Sequence, residues 1–215
     1  MIVTFTLLLP VGAPAVLFPA TVSELVSGVI RGDEVSIQIF AGFAAAVGLH
    51  ILFRKRSTYR FLCAHHHETA HLIFSILMFS APKLFLSSQD GSGRFQVECP
   101  QGLFAKTRQF LISIAPYWFS PLAIVPILSC FAGFPTSDAG RIAIISVAGI
   151  SLVLPISQIH PRQPDFREFG FVPSVCASLW FWCAQTVVLL AMLSTWSIRD
   201  VPRLYLAAWE ILWIL

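Results

Sequence analysis

Four of the chain's six histidines fall within one octapeptide, Ala64-His65-His66-His67-Glu68-Thr69-Ala70-His71. His67 and His71 are four residues apart, so on a helix both imidazoles project from one face, one turn apart, and can share a metal ion. Glu68 follows the first of them, where its carboxylate can take a proton from a water beside that ion. This is the HExxH spacing of zinc peptidases. Neither glycine nor proline occurs between Phe61 and Ala81, so a helix can run through the motif. The other reading of these residues is a histidine-rich helix end, solvated at the level of the lipid headgroups, which leaves Glu68 unexplained. His65 and His66 are expected off the ligand face, at the interface.

A catalytic zinc takes a third protein ligand and keeps one position for water. The first candidate is Asp165, in Gln158-Ile159-His160-Pro161-Arg162-Gln163-Pro164-Asp165-Phe166. Its alternative role is an acidic cap for the helix that follows. His160 is the possible substitute ligand. Asp90 and Glu98 lie in a polar loop where solvated carboxylates are the norm, and His50, alone in an apolar run, reads as a hydrogen-bonded packing residue. His66, His67 and His71 also spell the HHxxxH of diiron oxygenases, but those need several histidine boxes and only His50 and His160 lie outside the cluster.

The elements that must position these groups are set by composition. Residues are 56% hydrophobic and 12% charged, with a mean hydropathy of +0.77, far from the balance of a soluble domain. The chain therefore reads as an all-α integral membrane protein. Eleven acids against fourteen bases give +3 with no long basic block, which excludes nucleic acid as a partner. Cys63, Cys99, Cys130, Cys176 and Cys183 form no CxxC pair and read as small buried hydrophobes.

Six apolar runs are expected to cross as helices, at 1–21, 35–53, 61–86, 110–134, 142–159 and 171–196. Pro10, Pro14 and Pro19 predict a bent or broken first helix, which reads as retained rather than as a cleaved signal. Arg54, Lys55, Arg56 and Arg60 mark the cytoplasmic end of the second. Between the third and fourth runs, residues 87–109 hold Asp90-Gly91-Ser92-Gly93 ahead of Arg94-Phe95-Gln96-Val97, which predicts a short strand-like hairpin. The chain is read as a single polytopic domain over 1–215, with a core at about 61–196. A tail at 204–215, apolar but too short to span, reads as an interfacial or partner-packed helix. If every run crosses fully, HETAH and Asp165 lie on opposite faces. A shared metal requires the chain to turn back somewhere, and Pro82, Lys83 and the Asp-Gly turn point to the segment after the third run.

HETAH at the start of a membrane helix, a strand-like stretch, Ile114-Ala115-Pro116-Tyr117-Trp118-Phe119-Ser120-Pro121-Leu122 and the downstream segment 160–166 together resemble the site-2 protease family of intramembrane zinc metalloproteases. The likeness covers about 61–182. It implies that His67, His71 and Asp165 hold Zn2+ and that Glu68 is the catalytic general base. Family members set the aspartate before a glycine and after an asparagine; here Phe166 follows Asp165 and the chain has no asparagine, so Gln158 or Gln163 stands as the substitute.

The expected function is hydrolysis of a peptide bond in a membrane-protein or peptide substrate, near the cytoplasmic face of a bacterial inner (plasma) membrane. An edge strand at 94–97 is expected to clamp the extended substrate. The alternative is a non-catalytic subunit or sensor built on a degenerate protease-like scaffold, with the tail and its Trp209 and Trp213 meeting a membrane partner.

Overall fold

The computed structural model describes residues 2–88, 90–132 and 137–195, and side chains within 17–194 of these. They form α1 (Ile2–Arg31), α2 (Glu34–Phe53), α3 (Ser57–Leu77), β1 (Ala81–Ser87), β2 (Gly93–Glu98), α4 (Ala105–Ile114), α5 (Ile124–Phe131), α6 (Asp138–Ser157) and α7 (Phe171–Thr195). The described chain is thus mostly helical, with one small antiparallel sheet.

Three of these helices are long and apolar enough to cross a membrane: α2, α6 and, over Phe171–Ser194, α7. They match the second, fifth and sixth expected runs; the full six are not found among the described residues. The third run divides. Its helix stops at Leu77, and Ala81–Ser87 is strand rather than the end of a span. The fourth run breaks after Ile114 into single 3-10 turns at Ala115–Tyr117 and Pro121–Ala123 before α5, and qualifies only if its two halves count as one sharply bent span. Pro116 and Pro121 each remove a backbone donor there, so a straight helix cannot continue. The first run, by contrast, passes through Pro10, Pro14 and Pro19 as one helix to Arg31. The 204–215 tail lies outside the described residues.

The chain clusters into two compact units. The first draws, among the described residues, on 2–47, 122–132, 137–150 and 180–195. Ile39 of α2, Ile145 and Ala148 of α6, and Leu190 and Leu193 of α7 form its core. A Cβ added at Gly149 would lie 3.0 Å from the Gly42 carbonyl oxygen, so small residues let α2 and α6 approach backbone to backbone.

The second unit, 48–121 with 151–179, is organised around α3. Phe74, Ile112 and Ala115 form its core, with Phe95, Val97 and Trp118 packed around them. The C-terminus of α3 is closed by paired backbone bonds from Phe79 N–H to Ile76 and from Ser80 N–H to Ser75, at 3.0 and 2.8 Å. This closure needs a left-handed residue, usually glycine, and here Phe79 takes it at φ 53°. The chain then reverses into the hairpin, with Phe85 opposite Phe95.

The hairpin runs back along α3. Ser87 Oγ meets His65 Nδ1 at 3.2 Å, and the turn residue Gly91, at φ 88°, sits where a Cβ would come within 3.0 Å of Arg60 Cβ. Asp90 closes the turn. Its Oδ1 accepts from Ser88 and from Ser92 N–H and Oγ, which holds the carboxyl down at about 2. The expected Asp-Gly turn is present, but the first strand begins inside the apolar run ahead of it.

Candidate metal centre

α3 carries His67 and His71 on one face, and the second unit brings Asp165 to them. His67 Nε2 lies 3.2 Å and His71 Nε2 3.5 Å from Asp165 Oδ2. One ligand atom from each of the three residues falls within 4.8 Å of the others, so the group can hold a metal ion. Among the described residues it is the one His/Cys/Asp/Glu cluster with that property.

The other ring nitrogens determine what faces the centre. His71 Nδ1 donates to the Ile112 carbonyl at 2.8 Å, and His67 Nδ1 donates to Gln158 Oε1 at 2.6 Å. A carbonyl oxygen only accepts, so both protons sit on Nδ1 and both Nε2 lone pairs point inward. Two lone pairs and a carboxylate oxygen then face one another, an arrangement that needs positive charge at its centre. Metal-binding histidines take such partners on their far nitrogens because the partner fixes the tautomer and the ring plane.

Asp165 is held from its own side. It sits in the 3-10 turn Pro164–Phe166, whose Phe166 is buried against the Tyr117 ring at 4.3 Å between centroids. Tyr117 is fully buried, and its hydroxyl donates to Asp165 Oδ2 at 2.6 Å. Burial alone would push the Asp165 carboxyl up; in the metal-free protein, protons on the facing Nε2 atoms of His67 and His71 outweigh it through hydrogen bonds and charge and hold the group below the usual carboxylate range, supplying the positive charge that a bound ion would bring in their place. Replacing Tyr117 by phenylalanine keeps the ring packing and removes this donor. Metal affinity in Tyr117→Phe, read by competition with a chelating dye, is expected to fall about 10- to 100-fold.

Glu68 is 5% exposed beside the two histidines, and its Oε2 has no hydrogen-bond partner among the described residues. Buried polar atoms are rarely left unpaired, so this oxygen is matched to a water or a bound group. Its other oxygen lies against β2, where a Cβ on Gly93 would collide with it. The donor set and this orphaned acceptor together fit a metal ion at His67, His71 and Asp165.

A cavity of about 760 Å³ opens over the group. Glu68, His71, Gly93, Phe95, Gln109 and Asp165 are among its walls. That volume is in the range of small-ligand and active-site clefts.

Other sequence candidates lie elsewhere. His160 is exposed, and its Nδ1 accepts from Arg162 N–H at 3.1 Å within its own loop, outside the cluster. His65 is exposed beside β1, as expected off the ligand face. His66 is also off that face, but it is buried, with Nε2 at 2.7 Å from Ser120 Oγ, and so is not at an interface. Glu98 pairs with Lys83 at 2.7 Å in solvent, and His50 Nδ1 meets the Tyr59 hydroxyl at 3.0 Å. Gln158 orients His67 and Gln163 bonds the Gln158 carbonyl at 3.2 Å. Tyr117 was legible only indirectly, as a tyrosine in an apolar run whose hydroxyl must find an acceptor when buried.

Compared with protein-family models, with curated proteins and with solved structures, the chain matches none.

Proposed function

We propose that this chain is an intramembrane zinc metallopeptidase of the site-2 protease kind, cutting a membrane-protein or peptide substrate near the cytoplasmic face. The observation that carries the reading is the meeting of His67, His71 and Asp165 beside Glu68, a buried carboxylate with an unpaired oxygen. His67, His71 and Asp165 are the zinc ligands. Zinc, when bound, polarises a scissile carbonyl and acidifies water.

Glu68 accepts the proton of the attacking water and returns it to the leaving amine. Tyr117 and Gln158 hold Asp165 and His67 at the centre, so little reorganisation remains for the reaction. Two histidines and a carboxylate also suit non-haem iron. Zinc is favoured because the buried carboxylate of Glu68, one residue from a ligand, supplies the general base that metal-assisted hydrolysis of a peptide bond needs.

The substrate class rests on the hairpin. β2 pairs only with β1 among the described residues, and Gly93, Arg94, Phe95 and Val97 line the cavity. An extended peptide laid against that edge gains backbone hydrogen bonds and comes within reach of Glu68. A helical substrate must unwind first, since its peptide groups are already bonded within the helix. The cytoplasmic side follows from Arg54, Lys55, Arg56 and Arg60, directly after α2.

The test is metal analysis and hydrolysis on the same detergent-purified protein. About one zinc per chain, with cleavage of an unfolded protein such as casein that o-phenanthroline abolishes and added zinc restores, is the expected result. Stoichiometric iron, or zinc-loaded protein without hydrolysis of soluble or membrane peptides, overturns the reading.

A further inference from the structure

A second recess, about 200 Å³, lies in the same unit at the corner between α2 and α3. Its walls include His50, Arg54, Tyr59, Arg60, Asp90 and Gln158. We infer that this recess binds the phosphate of an anionic membrane phospholipid.

Charge is the first argument. Arg54, Lys55, Arg56 and Arg60 fall within seven residues, and no acid occurs between Glu34 and Glu68. Neither Arg54 nor Arg60 has an ion-pair partner among the described residues. The one acid on the wall, Asp90, has its carboxylate engaged by Ser88 and Ser92. Two arginines therefore line the recess with no acid engaging their side chains among the described residues, and guanidinium matches phosphate oxygens in pairs.

Position is the second argument. Arg54 directly follows α2, one of the helices able to cross a membrane, so the recess lies where that span meets the headgroups. Basic clusters immediately beyond a span are the usual contacts of anionic lipids. Shape is the third. The last turn of α2 leaves Ile51, Leu52 and Phe53 exposed at 57%, 71% and 39%, an apolar surface around the helix end that directly precedes Arg54. A free phosphate has no use for that surface, whereas a phospholipid places its acyl chain there. Tyr59, its hydroxyl paired with His50 Nδ1 at 3.0 Å, supplies a polar part of the recess wall.

This inference stands apart from the peptidase reading, although Gln158 borders both cavities and orients His67. Native mass spectrometry of the full chain in detergent, titrated with phosphatidylglycerol or with phosphatidylcholine of the same acyl chains, reads it directly. One phosphatidylglycerol is expected to be retained in preference to phosphatidylcholine. Arg54→Gln/Arg60→Gln is expected to weaken that binding about thirtyfold. Lys55→Gln/Arg56→Gln removes the same charge from outside the recess and is expected to leave it intact. Circular dichroism and melting confirm that each variant is folded; should the first double variant not fold, Arg54→Gln alone decides, with about fivefold expected.

Equal loss in the two double variants would show diffuse attraction and overturn the site. So would equal retention of the two lipids. Inorganic phosphate binding as tightly as phosphatidylglycerol, in the same detergent, would reassign the recess to a soluble phosphate and overturn the lipid assignment.

Discussion

Replacing His71 by alanine is expected to release the metal while the protein stays folded. His71 contributes one of three converging donor atoms, and its Nδ1 is tied to the Ile112 carbonyl, which fixes its Nε2 toward the centre. Sharing the binding free energy of a protein zinc site among its ligands makes the loss on the order of 10²- to 10³-fold in affinity. Equilibrium dialysis against a zinc buffer, followed by metal analysis, measures it. A second readout is stability. Zinc at about 1,000 times its Kd raises the stability of a binding protein by about 4 kcal/mol, of which His71→Ala should keep only about 0.4 to 1.4 kcal/mol at the same zinc concentration.

The neighbouring histidines are the controls, because residue type is the same and only geometry differs. His66 turns to Ser120 and His65 to Ser87, so His66→Ala and His65→Ala should keep the metal. Loss of zinc in all of these variants alike would mean that the histidine cluster binds metal as a loose chelating surface. Retention of zinc in His71→Ala would remove the site altogether.

What was legible in the sequence divides along the range of the interactions involved. HExxH needs only the pitch of one helix, so His67, His71 and the adjacent Glu68 could be placed from spacing alone. The Asp90-Gly91 turn was equally local, since Gly91 at positive φ and the Asp90 side chain close it without help from the rest of the fold. The start of β1 was not legible. Pro82 and Lys83 marked the end of the 61–86 run as irregular, but the break itself comes earlier, from Phe79 in a left-handed conformation where glycine is usual, a choice that no local signal announces.

The six expected spans were found only in part for a related reason. Hydropathy reads how apolar a run is; it does not see that Pro116 and Pro121 break one run into short turns or that the hairpin consumes the end of another. The ligand supports were least visible of all. Tyr117, Gln158 and the Ile112 carbonyl reach the centre across 48, 91 and 41 residues, through contacts that exist only once the second unit has packed. Asp165 could be named in advance because a metal needs a third ligand; nothing in its neighbourhood said that Phe166 would anchor it.

Replacing Glu68 by glutamine separates chemistry from metal binding. The amide is nearly isosteric with the carboxylate and should fit against the bare Cα of Gly93, where a Cβ would collide with the native side chain. Glu68 is absent from the group of three that can hold the metal, so metal content in Glu68→Gln should equal that of the unaltered protein. An amide cannot accept the proton of the attacking water, and peptide hydrolysis is expected to fall about 10²- to 10⁴-fold. The fall should appear in kcat, since the substrate edge at β2 and the metal ligands are untouched. A rise in KM with kcat preserved would instead assign Glu68 to substrate binding. Full hydrolysis by zinc-loaded Glu68→Gln would show that the buried carboxylate moves no proton, and the peptidase reading would fall with it, whatever the metal content.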